Sequence, residues 1–151
     1  MSRVRGSGLS WVVPILIFMA CRHSDSAGGL GATAQIARAV EMLRLSSNHD
    51  KRLWLNRLRT LPCKTDDACQ LQTVCANAYE KHLTAIDMID SARRRLARSA
   101  ADASIPDASA EDMLQSAALA QVAQRLLGQA RRMTQDCAEN EAVIRQRYGL
   151  H

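Results

Sequence analysis

The sequence predicts an all-α protein: a three- or four-helix bundle dominated by a long antiparallel helical hairpin and stapled by disulfides. Three observations carry this. From Asp66 to Ala100 the chain contains neither Gly nor Pro, and apolar or small residues recur there in alternating steps of four and three. Only 3% of the 151 residues are aromatic, a composition that disfavours sandwiches and barrels. With Cys21 set aside, four cysteines remain, Cys63, Cys69, Cys75 and Cys137, an even number suited to pairing. The apolar fraction of 47% and charged fraction of 23% are those of a foldable chain, and no internal repeat is visible.

The first element is an address. Arg3 and Arg5 precede an uncharged stretch from Gly6 to Ala20, strongly apolar from Leu9, and Cys21 follows directly. About 20 apolar residues are needed to span a bilayer as a helix, so a run of roughly 12 fits the core of a signal peptide. Residues 1–20 are therefore expected to be removed. Phe18, Met19, Ala20 and Cys21 resemble the lipobox of bacterial lipoproteins, with Ala20 as the small residue before the Cys. The resemblance covers residues 1–21 only and implies a lipid, including palmitate, on Cys21 as the new N-terminus. Arg22 in place of Asp after the Cys favours, by the same resemblance, the outer membrane over the inner. Residues 21–32 are polar and rich in Gly and Ser, which reads as a flexible tether. Residues 33–151 then form the helical domain.

Within that domain Ile36, Ala39, Val40 and Leu43 make one apolar stripe, and Trp54, Leu55, Leu58 and Leu61 make another. The cap-forming residues Ser46, Ser47, Asn48 and Asp50 interrupt them, so one kinked helix or two short ones is expected. The next helix has Thr65 as its N-cap, Asp66 and Asp67 in the first turn, and Arg93, Arg94, Arg95 and Arg98 near its end, each sign where the helix dipole prefers it. Its seam reads Leu71, Cys75, Ala78, His82, Ala85, Ile89, Ala92 and Leu96. A connector with Pro106 follows, and Ser109 to Asp112 read as a capping box opening the last helix. The seam of that helix reads Leu119, Ala123, Leu126, Ala130, Met133, Cys137 and Ile144, with Asn140 as its polar exception.

The seams choose among the three possible disulfide connectivities. Cys75 and Cys137 lie on buried faces, and Cys69 does not, so the expected bridges are Cys75 to Cys137 and Cys63 to Cys69. Export to an oxidising compartment, the periplasm or beyond, is the setting in which such bridges persist.

No catalytic motif stands out. There is no CxxC, HExxH or CxxCH, no G-x-S-x-G and no Gly-rich phosphate loop, so no metal, haem or other cofactor is expected. His82 reads as a hydrogen-bonded core residue, and Asp87 with Asp90 as a solvated face. Loss of Arg3 and Arg5 leaves 18 basic side chains against 15 acidic, a mild balance, and nucleic-acid binding is not expected of an exported chain with few aromatics. Arg52, Trp54 and Arg59 on one stretch, and Arg93, Arg94 and Arg95 on another, are the candidate contacts with an envelope protein or the membrane. The expected function is binding, as an adaptor, accessory or assembly factor of the cell envelope. The alternatives are an exported enzyme with an unrecognised site and an outward-facing inhibitor or exclusion lipoprotein.

Overall fold

The computed structural model describes residues 23–101 and 106–150, with side chains from 28 to 101 and from 110 to 150. Residues 1–22, including Cys21, and the tip of the connector at 102–105 lie outside them. Four helices follow one another: α1 (His23–Leu45), α2 (Asn48–Thr60), α3 (Asp66–Ala101) and α4 (Pro106–Tyr148).

The boundaries follow from side chains that satisfy backbone groups. Ser47 is the N-cap of α2, its hydroxyl accepting from the Asp50 amide at 3.3 Å, so the Ser46 to Asn48 break gives two helices rather than one kinked one. Thr65 caps α3 in the same way, accepting from the Ala68 amide at 3.3 Å. Between these two helices, Gln72 donates to the carbonyls of Leu58 (2.6 Å) and Leu61 (2.8 Å), filling acceptors that the end of α2 leaves open. Gly149, at φ +62°, ends α4, and the Leu150 amide donates back to the Arg145 carbonyl at 3.0 Å, the pairing of a Schellman motif.

Two expected starts are corrected. Helix α4 begins at Pro106, so Ser109 lies inside the helix and does not open it. A fixed φ and a missing amide suit proline to the first helical turn, where that amide has no partner. Helix α1 begins at His23, so the boundary drawn at residue 32 from Gly and Ser content falls within a helix. Packing overrides composition here. Gly29, Ala32 and Thr33 are buried, a Cβ at Gly29 would stand 3.5 Å from Thr65, and the Thr33 hydroxyl donates to the Gly29 carbonyl at 2.9 Å.

Helices α3 and α4 form the antiparallel hairpin, and their seam is stricter than the sequence reading drew it. Ser116, Ala123, Ala130, Cys137 and Ile144 are buried at every seventh residue of α4, and Leu71, Ala78, Ala85 and Ala92 at every seventh residue of α3. That period belongs to a left-handed coiled coil, and its small side chains let the backbones close in. Two distances show the closeness: Cys75 and Cys137 are 4.9 Å apart at Cα, and the Ser116 hydroxyl reaches the Ala92 backbone carbonyl at 3.4 Å. Of the expected α3 seam, His82 and Ile89 are half-buried and Leu96 is exposed, whereas Tyr79 and Leu83 are buried on the flanks that face α1 and α2.

Both expected disulfides are present, Cys75–Cys137 across the hairpin and Cys63–Cys69 at the entry to α3. Helices α1 and α2 pack on the base of the hairpin, where Ile36, Val40, Leu43, Leu55 and Leu58 meet Leu71, Cys75, Tyr79, Leu83, Cys137 and Ile144 in one core. None of that core comes from α3 beyond Leu83 or from α4 before Cys137.

Candidate functional site

The six basic and aromatic residues singled out from the sequence fall on two parts of the molecule. On α2, Leu55 and Leu58 are buried and Trp54 is half-buried against the core, so packing accounts for the apolar side of this stretch. The Arg57 guanidinium lies over the Trp54 ring at 5.2 Å. Arg52 pairs with Asp87 and Arg59 with Glu80 (2.5 Å), which lays the basic side of α2 onto acids of α3. These pairs are about half-exposed and contribute little energy, but they occupy the charges expected to face a partner. Between them lies a shallow open cleft lined by Leu55, Asn56, Leu83 and Thr84.

The other cluster stands on the far half of the hairpin. Arg93 is 3.7 Å from Asp90, Arg94 donates to the Ser91 hydroxyl at 3.2 Å, and Arg95 donates to the Gln115 side chain across to α4. Past Asp87 on α3 and before Gln129 on α4, every hydrogen bond or ion pair between helices, among the described residues, joins α3 to α4 alone. At about 1.5 Å per residue, α4 from Pro106 to Val122 projects roughly 25 Å beyond the level of Asp87 as one arm of a two-helix pair. Its surface is unusual for so exposed a helix: from Met113 to Gln124 there is no charged residue. Met113, Leu114 and Val122 are exposed there, and Leu96 on α3 opposite them. One flank forms an open apolar groove of about 380 Å³ lined by Met88, Ala118, Leu119 and Val122, with Arg95 and Gln115 at its edge.

A charged network at the base escaped the sequence reading. Glu141 is only 3% exposed and accepts from Arg145 Nε at 2.8 Å, with Arg44 of α1 at 3.4 Å, and Arg145 continues to Glu41 at 2.9 Å. Beside Ser116, the buried polar residue of the α4 seam is therefore Glu141 rather than Asn140, whose side chain donates to the Asp136 carbonyl instead. Glu41 with Arg44, and Glu141 with Arg145, stand three and four residues apart, a spacing that could have signalled paired faces of α1 and α4. Bonding to Glu141 holds the Arg145 guanidinium above its ordinary pKa. Nearby, burial raises the Tyr79 hydroxyl, partly offset by Arg44 and reinforced by Glu141. Both Glu141 oxygens have partners, so the network joins α1 to α4.

His82 is half-buried, with Nε2 3.4 Å from the Asn48 side-chain oxygen. Burial lowers its pKa, and the Lys51 charge acts in the same direction. No acid or nucleophile pairs with it among the described residues, and no group of three or more His, Cys, Asp and Glu there could hold a metal ion. Among the described residues no helix is long and apolar enough to cross a membrane. Comparison with protein-family models, curated proteins and solved structures finds no match.

Proposed function

We propose that this chain is a lipid-anchored helical protein of the cell envelope that acts by binding, with the base as a stapled platform and the far half of the hairpin as the part that meets a partner. The observation that carries the reading is the contrast between the two halves. Four helices close the base around a core, two disulfides and a satisfied charged network. The projecting half buries only an Ala-rich seam, and its α4 side exposes an uncharged stretch from Met113 to Gln124 with Met113, Leu114 and Val122 in solvent, surface that a monomer gains nothing by keeping.

The lipid belongs to this proposal through the lipobox-like residues up to Cys21. Helix α1 leads from that end, and its Gly28 and Gly29 lie beside Lys64 and Thr65 at the start of α3. An anchor there holds the base near the membrane and the tip of the hairpin far from it, since α3 alone is about 54 Å long. Outer-membrane attachment follows from Arg22 and is part of the same proposal.

The test is site-specific photo-crosslinking in cells that express the full chain. A crosslinker at Met113 or Val122 is expected to give one discrete adduct, and the same group at exposed Arg38 on the base none. Equal capture at both places would refute the hairpin as the binding part.

A further inference from the structure

The outward face of α4 is the surface left over when every contact above has been assigned. Leu114, Gln121 and Gly128 lie seven residues apart and two residues from the buried Ser116, Ala123 and Ala130. Two residues turn an α-helix by about 200°, so this stripe points almost directly away from α3. All of it is exposed, and Leu114, at 73%, is the most exposed large apolar side chain among the described residues.

Among the described residues nothing packs where a Gly128 side chain would stand. A glycine in the interior of a helix costs about 1 kcal/mol relative to alanine, and a Cβ at Gly128 would meet nothing within 4 Å. Its absence makes room for something outside the chain.

Charge is segregated along the same face. Glu111 stands at the tip end, Met113 to Gln124 is neutral, and Arg125 and Arg132 follow with Arg131 on the flank, none of them in an ion pair among the described residues, whereas Asp112 turns to α3 and accepts from Ser99. A second copy laid parallel would set acidic end beside acidic end and basic end beside basic end, with Arg132 level with its own copy. Laid antiparallel about Gln121, it sets Leu114 over Gly128, seven residues from the axis on either side, and Glu111, ten residues from the axis, beside Arg132, eleven from it and on the same flank. The apolar knob meets the missing Cβ and the acid meets the base in one register.

From this we infer that the outward face of α4 is a homodimer interface, with a second copy packed antiparallel about a two-fold axis at Gln121. This deepens the reading of the hairpin as the binding part by naming the partner, and it rests on that reading but not on lipidation. A single helix pair of this length lies at the low end of specific interfaces, so association is expected in the micromolar range.

Gln121 on the axis is the position that meets its own copy. In the purified full chain carrying Cys21→Ser, whose four domain cysteines are bridged, Gln121→Cys is expected to form a chain of doubled mass under mild oxidation, and Gln146→Cys, on exposed surface near the base, is not. Leu114→Glu should weaken association at least tenfold by sedimentation equilibrium. Glu111→Arg should weaken it, and adding Arg131→Glu and Arg132→Glu should restore it, a rescue that altered folding would not produce. A monomer up to about 100 μM, equal crosslinking by Gln121→Cys and Gln146→Cys, or failure of the charge swap would overturn the inference. A photo-adduct at Val122 with the mass of a different protein, and no doubled chain, would overturn self-pairing while leaving the hairpin as the binding part. Absence of any adduct at the hairpin would remove both.

Discussion

Replacing Cys75 and Cys137 together by alanine removes the covalent tie across the hairpin, and its effect can be worked from the structure. The bridge closes a loop with a sequence separation of 62 and the Cys63–Cys69 bridge one of 6. In the loop-entropy treatment these are worth about 4 and about 2 kcal/mol at 25 °C. The longer bridge joins helices whose shared seam is mostly alanine, which buries little area per residue, so packing is poorly placed to compensate. Equilibrium urea unfolding of the oxidised protein, the Cys75→Ala and Cys137→Ala double variant, and the Cys63→Ala and Cys69→Ala double variant reads both numbers. Wild-type protein unfolded under reducing conditions separates the tie from the lost sulfur packing. A loss below about 1 kcal/mol for the long bridge, or a larger loss for the short one, would refute the reasoning.

Four other outcomes are expected. Ala85→Leu or Ala123→Leu should overpack the seam and cost about 2 kcal/mol in urea unfolding, whereas Leu114→Ala should leave monomer stability within about 0.5 kcal/mol, since it is 73% exposed. Glu141→Gln should cost about 2 kcal/mol, because it leaves Arg145 and Arg44 facing a neutral amide in a buried position. His82 has a lowered pKa in the fold, so just below its ordinary value of 6.5 the unfolded chain holds more protons. Stability should therefore rise with pH through that window and level off above it, and His82→Gln should flatten the rise in melting temperature measured from pH 5 to 7. Gln72→Ala should cost about 1 kcal/mol by leaving the Leu58 and Leu61 carbonyls unbonded, read by the same unfolding experiment.

Much of the fold is legible in the residues because the signals are local. Ser47 and Thr65 cap where they stand in sequence, and the 3–4 spacing puts Cys75 and Cys137 on facing seams, which selects the disulfide pairing. What escapes depends on neighbours that no local pattern names. His82 occupies a seam position by period, but α1 and α2 pack on other sides of α3 and bury Tyr79 and Leu83 instead. The Gly-rich start of α1 has the composition of a tether and becomes helical where it meets Thr65. Glu141 can be buried only because Arg145, one turn away, and Arg44, on another helix, arrive together.

The candidate site is less legible for the same reason. Arg52 and Arg59 have the composition of a contact surface, and tertiary structure assigns them to Asp87 and Glu80. The binding role proposed for the bare half of the hairpin has almost no signal in its sequence, which is simply that of a good helix. Its significance emerges only when α1 and α2 are seen to stop short of it.

The central claim is an anchored, stapled bundle, and it is tested most directly by the mass and peptide map of the chain from a native membrane fraction, with free thiols alkylated before reduction. The account predicts an N-terminal Cys21 carrying diacylglycerol, and Cys63, Cys69, Cys75 and Cys137 all protected from alkylation. An intact Met1 with four alkylated thiols would contradict it.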